Sequence, residues 1–284
     1  MFDPRPDYAR QRPRPVHVTD GLEIADGVSC LRLRTNVPVP HLEGGQPIRI
    51  DQPYYFVLSY GKPSDIDSVA SMQRALNLTI AGWRAWAKTC ALPSFADTHV
   101  LRSALCLKLH AFADTGAIIA AATTSVPEAL GTQRTWDYRY CWLRDAAFDL
   151  GARLARRHGE ATLAAEWDAW ADAHRDEILK RAYNENLGRH PDDLGDTTNA
   201  FSVCSFWWAE ALAMIGELDE AVALFNRLLT YANPVGLFSE DIDPPTGRLL
   251  GNFPQAYTHV GVIHAAITIG ELLEARDAKF RAWT

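Results

Sequence analysis

Ten consecutive residues, Trp136-Asp137-Tyr138-Arg139-Tyr140-Cys141-Trp142-Leu143-Arg144-Asp145, combine four aromatic rings, two arginines and two aspartates. Such a cluster suits a sugar: flat rings cover the apolar face of a pyranose, while Arg and Asp offer fixed donors and acceptors to neighbouring hydroxyls. The same residues also have a purely structural explanation, in which Asp145 favours the first turn of a helix, Arg144 pairs with a neighbour and the rings fill a core. A second group, Gly236 to Gly247 (GLFSEDIDPPTG), places Glu240, Asp241 and Asp243 within four positions. Carboxylates so close repel one another, which raises the proton affinity of at least one and could fit it for work as a general base. A solvated acidic loop explains them as well, because Pro244-Pro245-Thr246-Gly247 reads as a turn. A calcium loop does not: counted from Asp241, Gly247 falls at position seven rather than six, and Asn252 stands at position twelve where Glu is needed.

Other chemistries lack their residues. The sequence has no G-x-S-x-G, H-E-x-x-H, Walker A or G-x-G-x-x-G pattern. His259 and His264 are five apart on one expected helix, off the i, i+4 spacing of metal ligands, and read as a polar-face residue and a core residue respectively. No cofactor and no metal are called for. Asp+Glu 35 against Lys+Arg 28 gives a net charge of −7, which disfavours nucleic acid and anionic membrane as partners. Five scattered cysteines without metal-like spacing fit a reduced compartment, and the charged, proline-rich start MFDPRPDYARQRPRP lacks an apolar export signal, so a cytoplasmic location is expected. With 48% hydrophobic and 22% charged residues the composition is that of a folded globular protein, and its 9 Trp, 9 Tyr and 11 Phe must fill a wide core or line a cleft.

The elements that must position these groups change character along the chain. Leu22 to Leu33 and Ile48 to Tyr60 hold short β-rich runs separated by Pro38, Pro40, Gly44, Gly45 and Pro47, which reads as antiparallel hairpin material. From about Ser68 the apolar spacing becomes helical. Val69, Met72 and Leu76 mark one expected buried face; Val100 to Leu107, Leu143 to Leu154, and Leu163, Trp167, Trp170 and His174 mark others. Phe201 to Ile215 and Leu218 to Tyr231, joined by Gly216-Glu217, predict an antiparallel helical hairpin, and Gln255 to Glu274 the last helix. About six or seven helices follow residue 67 in this reading, packed as hairpins around a common core.

Two long stretches resemble a known family. Val100 to Asp145 (VLRSALCLKLHAFADTGAIIAAATTSVPEALGTQRTWDYRYCWLRD) and Phe201 to Ala266 (FSVCSFWWAEAL through EDIDPPTGRLLGNFPQAYTHVGVIHAA) are similar to glycoside hydrolase family 15, in its bacterial glucoamylase, glucodextranase and trehalase group. The resemblance implies a mainly α fold, an (α/α)6 barrel of the six-hairpin glycosidase type behind a β-sandwich, an inverting mechanism on α-glucosidic bonds, and no metal in the chemistry. On that basis residues 1–66 are expected to be the tail of the sandwich, 67–97 a helical linker and 98–284 a shortened, incomplete barrel. Tyr138, Trp142, Arg144 and Asp145 match residues that line the subsite for the non-reducing sugar, Arg144 and Asp145 gripping its hydroxyls. Gln255 and Tyr257 join the substrate-binding set, and Glu240 matches the general base. Trp167, Trp170, Trp207 and Trp208 are expected in the barrel core.

The sequence departs from the family between the two stretches. An inverting glycosidase needs a second, protonated carboxyl as general acid, and the family's acid lies in a Trp-Glu motif of a long helical section that is much shorter here. Asp145 to Phe148 looks like an early barrel helix and Asp149 to Ala155 like a later one, as if fused, and a second contraction falls between Asn186 and Thr197. Glu128 looks structural, Glu166 and Glu210 sit within expected helices, Glu185 lies at the contraction, and none matches the acid's motif. Two other functions therefore stand beside hydrolysis: sugar binding without catalysis, and a helical module whose uncovered barrel edge binds a partner chain or a second copy as a homo-oligomer.

Overall fold

The computed structural model describes residues 2–25, 30–44, 46–141 and 199–283. They form two compact units, Met1–Thr89 and Cys90–Thr284, and combine small antiparallel sheets with longer helices. The segment carrying Trp142, Arg144 and Asp145, the expected helices at Leu143–Leu154 and Leu163–His174, Glu166, Glu185, Trp167, Trp170 and both contractions lie outside the described residues.

In the first unit, β1 (Val16–Val18), β2 (Gly21–Ala25), β3 (Cys30–Thr35) and β4 (Phe56–Tyr60) pair in chain order, all antiparallel. Leu22 faces Leu33 across β2 and β3, and Leu33 faces Leu58 across β3 and β4. One face of the sheet closes over a small core in which Leu22 and Leu33 meet Val37 and Leu42, the last carried by the short helix α1 (Val39–Gly44). The β-rich runs read from the sequence are thus β2 to β4. Helix α2 (Val69–Ala87) starts at Ser68, whose side chain accepts from the Ser71 N–H while the Ser71 hydroxyl answers to the Ser68 backbone. None of its residues is buried, so the stripe of Val69, Met72 and Leu76 is no core face within this unit. Its 19 residues run about 28 Å at 1.5 Å per residue, more than strands of three to six residues can cover.

The second unit packs α3 (Asp97–His110), α4 (Ser202–Met214), α5 (Leu218–Leu229) and α6 (Ala256–Trp283) around one core. Phe206 of α4 is its centre, edge-on to Phe225 of α5 at 5.6 Å and to Phe238 at 5.3 Å. Full burial of one such ring contributes about 1.5–3 kcal/mol, and each edge-to-face pair about 0.5–1.5 more. α6 approaches α4 closely because Gly261 presents no side chain there; a Cβ would stand 3.1 Å from Val203 Cγ2. α4 and α5 form the hairpin read from the sequence, ending and starting either side of Ile215-Gly216-Glu217. A second sheet, β5 (Ala200–Phe201), β6 (Asp241–Asp243) and β7 (Arg248–Leu250), sits where α4 begins. β6 and β7 are joined by the Pro244-Pro245-Thr246-Gly247 turn, where Gly247 N–H donates to Asp243 O at 2.8 Å and the Thr246 hydroxyl donates to the Asp243 carboxylate.

Two aromatic and histidine expectations are corrected. Trp207 is 40% exposed and meets the Tyr257 ring edge-on at 5.3 Å, so it is no core residue, while its neighbour Trp208 does pack on the core. The buried face of α4 is made by Val203, Phe206, Ala209 and Ala213, and Trp207 lies outside it. His259 is fully buried and His264 half-buried, the reverse of the expected roles. The inward position of His259 is possible because both ring nitrogens are satisfied: Nε2 accepts from the Phe238 N–H at 3.3 Å, which places the ring proton on Nδ1, 2.9 Å from Ser103 Oγ. Burial and the nearby His110 push its pKa down to about 3, so the ring stays neutral.

Candidate active site

The site is assembled from loops that the second unit holds by backbone bonds. After α3, residues 120–140 double back as an irregular hairpin: Ala121 N–H donates to Tyr138 O at 2.8 Å, Ser125 N–H to Trp136 O at 2.8 Å and Glu128 N–H to Arg134 O at 3.1 Å. This hairpin is fastened to the β7–α6 connection, where Gly251 N–H donates to Pro127 O and Ala256 N–H to Ala120 O, both at 2.8 Å. Asn252 is buried between them, donating to Trp136 O at 3.1 Å and accepting from the Thr123 hydroxyl at 2.9 Å. The ring of Tyr138 is thereby carried over the loop that leads into β6.

That loop holds Glu240. Its backbone is fixed on both sides, the N–H donating to Asn252 O at 3.2 Å and the C=O accepting from Ser202 N–H at 2.8 Å. Its side chain is turned inward and is 1% exposed. The Tyr138 hydroxyl donates to Glu240 Oε1 at 2.6 Å, whereas Oε2 meets no hydrogen-bond donor among the described residues. Gly251 makes this inward position possible: at φ +75° it adopts a left-handed conformation, and a Cβ there would stand 2.8 Å from Glu240 Cβ.

Glu128 and Asp241 complete a buried carboxyl cluster, with one oxygen from each of the three residues within 4.8 Å of the others. Arg134, 2% exposed, brings its guanidinium Nη1 to 3.8 Å from Glu128 Oε2, and the Asn199 side-chain amide holds the Glu128 backbone carbonyl. Burial first, and then the charges of Glu128 and Asp241, push the Glu240 carboxyl up to about 9, against the downward pull of the Tyr138 hydrogen bond. The repulsion expected from neighbouring carboxylates is present, but Glu128, distant in sequence, contributes more of it than Asp241. Three carboxyl oxygens so placed could take a hard cation. Arg134 already supplies positive charge beside Glu128, and an acidic cluster alone does not define a metal site, so none is assigned.

Of the expected site residues, the structure brings Tyr138 and Glu240 into direct contact. Gln255 is buried just before α6, where its side-chain oxygen accepts from the Thr258 hydroxyl at 2.5 Å and its N–H donates to Phe238 O. Tyr257 is half-buried against Trp207. Trp142, Arg144 and Asp145 follow the hairpin outside the described residues. The sequence reading took Glu128 as structural, met Asn252 only as a failed calcium ligand and passed over Arg134. The available signal was an acid and a base six positions apart across a Gly131 turn, a spacing that faces them only in a hairpin.

Comparison with known proteins points to one family. The family model for Glycosyl hydrolases family 15 matches residues 94–176 and 169–267, which include Glu128, Tyr138 and Glu240. The trehalase of Mycobacterium tuberculosis is 31% identical over 191 residues, covering 49% of this chain and 28% of the relative. That of Thermoplasma acidophilum is 28% identical over 194 residues, covering 64% and 32%, and that of Thermoplasma volcanium is 44% identical over 106 residues, covering 37% and 17%. The matched region thus spans a third or less of these relatives' length. No solved structure matches the chain. Because the family model covers more than half of the chain and both loops that meet at Glu240, the chain belongs to glycosyl hydrolase family 15.

Proposed function

We propose that the chain carries the base-bearing part of a trehalase-like, inverting glycosidase that acts on α-glucosidic bonds. Glu240 is the general base that takes a proton from the attacking water. Tyr138 orients it, and Trp142, Arg144, Asp145, Gln255 and Tyr257 bind the sugar. The observation that carries this reading is the buried Glu240 carboxyl held at 2.6 Å by Tyr138 inside the segment matched to the family. Glu128 is not the missing acid: its carboxyl oxygen lies within 4.8 Å of Glu240, whereas an inverting pair needs roughly 6.5–9.5 Å to admit water and sugar. The helices of the second unit belong, in this reading, to an incomplete (α/α)6 barrel spanning 98–284, after a sandwich remnant at 1–66 and a linker at 67–97. The packing of α3, α4, α5 and α6 on one core supports it. The five free thiols are consistent with a reduced, cytoplasmic setting.

The test is glucose release by the purified chain from trehalose and from maltose-type oligosaccharides, with Glu240→Gln as control. Release should fall at least about 100-fold in the variant. It should also climb through the alkaline range, because a base whose carboxyl is pushed up to about 9 is mostly protonated at neutrality. No release by wild type, or equal release by the variant, overturns the reading. The same protonated state also favours sugar binding without turnover, since a neutral Glu240 can donate to a hydroxyl. Calorimetric binding of trehalose with no glucose released would establish that function instead.

A further inference from the structure

The charges around Glu240 are unequally compensated. Glu128 and Glu240 come from different segments, yet their oxygens and one from Asp241 lie within 4.8 Å of one another, and all three residues are buried. Arg134 stands 3.8 Å from Glu128, with both side chains almost wholly buried. Glu240 has the neutral Tyr138 hydroxyl on Oε1 and no donor on Oε2 among the described residues. Two carboxyls this close and this buried cannot both be ionised without a large penalty. The negative charge settles where a cation offsets it.

We propose that Glu128 is a positioning residue acting through Glu240: the two carboxyls share one proton, Arg134 holds the negative charge on Glu128, and the proton rests on Glu240 until alkaline pH removes it. This rests on the reading of Glu240 as the base and deepens it, because Glu128 then sets the pH at which that base becomes available. The charged and titratable groups that face Glu240, among the described residues, are Glu128 and Tyr138 of the 120–140 hairpin and Asp241 of β6, with Arg134 beside Glu128. Tyr138 opposes proton retention, and Glu128 and Asp241 favour it. The upward shift of Glu240, with Glu128 its largest contributor after burial, has the same direction.

The proposal is read by titrating the carboxyl carbons of the 284-residue chain by NMR, with Glu240→Gln identifying the Glu240 signal. In wild type that signal should change well above neutral pH. In Glu128→Gln its midpoint should fall by about one pH unit or more, a tenfold or greater gain in acidity. Glu128→Asp keeps the charge and should stay near wild type. An unmoved midpoint in folded Glu128→Gln overturns the proposal, and so does an equal shift in both Glu128 variants. Should Glu128→Gln not fold, the wild-type titration decides: a Glu240 signal that changes with ordinary carboxylates near pH 4–5 overturns it. The titration does not depend on turnover, so absence of hydrolysis sinks the functional reading without touching this one. Where glucose release is measurable, the rising limb of its pH profile should move with the NMR midpoint.

Discussion

A carboxyl that binds its proton more tightly in the folded chain than in the unfolded one makes stability fall as pH rises. Glu240 is such a group, moved from 4.5 to about 9 by burial and by Glu128. Between those values the folded chain holds one proton more than the unfolded chain. Its contribution is complete below about 4.5, declines by about 1.36 kcal/mol per pH unit and is gone above about 9. From pH 5 to pH 8 the loss is about 4 kcal/mol, a large share of the roughly 5–15 kcal/mol that holds a typical domain. His259 acts in the opposite direction. Its pKa is lowered from 6.5 to about 3, so the fold refuses a proton the unfolded chain accepts, and stability is lost as pH falls from about 6.5 towards 3. Urea unfolding of wild type and Glu240→Gln at a series of pH values separates the two, because His259 is common to both proteins and cancels. The difference in unfolding free energy should move in favour of the variant by about 4 kcal/mol between pH 5 and pH 8. Curves that stay parallel to within about 1 kcal/mol would refute the account of Glu240 as a carboxyl kept neutral by burial and repulsion.

Two further outcomes follow from the same packing. Gly251→Ala should destabilise the second unit by about 1–3 kcal/mol in thermal or urea unfolding, because the new methyl meets Glu240 Cβ at 2.8 Å and φ +75° strains any residue with a Cβ; a change under about 0.5 kcal/mol would show that the turn can relax. Cys106 and Cys204, whose thiols burial pushes up to about 12, should resist alkylation at about pH 8 until the chain is unfolded, while the exposed Cys141 reacts at once. Equal labelling of all three in the folded chain would contradict the upward push on the Cys106 and Cys204 thiols.

Helices with a tertiary partner were legible in the sequence, since their spacing records the face they bury. α4 and α5 end within a residue or two of where the Gly216-Glu217 link places them. The Val69 stripe shows the limit of that argument, because periodicity records an apolar face and not what covers it. At the site, the short-range signal was partly misleading. Repulsion among Glu240, Asp241 and Asp243 was visible as spacing, yet the stronger neighbour is Glu128, more than a hundred positions away in the chain. Residues 120–140 follow neither a helical nor a strand period, and their fold is set by bonds such as Gly251 N–H to Pro127 O that no local pattern encodes. His259 was misread for a similar reason: a polar side chain can sit in a core when the backbone of a distant loop, here Phe238 N–H, offers it a partner.

The anchoring of Glu240 is nearly all main chain: Ser202 N–H, Asn252 C=O and, one residue before Asn252, the Gly251 N–H bond to Pro127. Bonds of this kind do not depend on which side chains those positions carry. Mutational libraries over the surrounding loops should therefore tolerate change at the half-buried Pro127 while the carboxyl keeps its place, with Gly251 and the fully buried Ser202 as the intolerant positions. A lineage can then alter the walls of such a pocket, and with them the ligand it prefers, without having to rebuild the group at its centre.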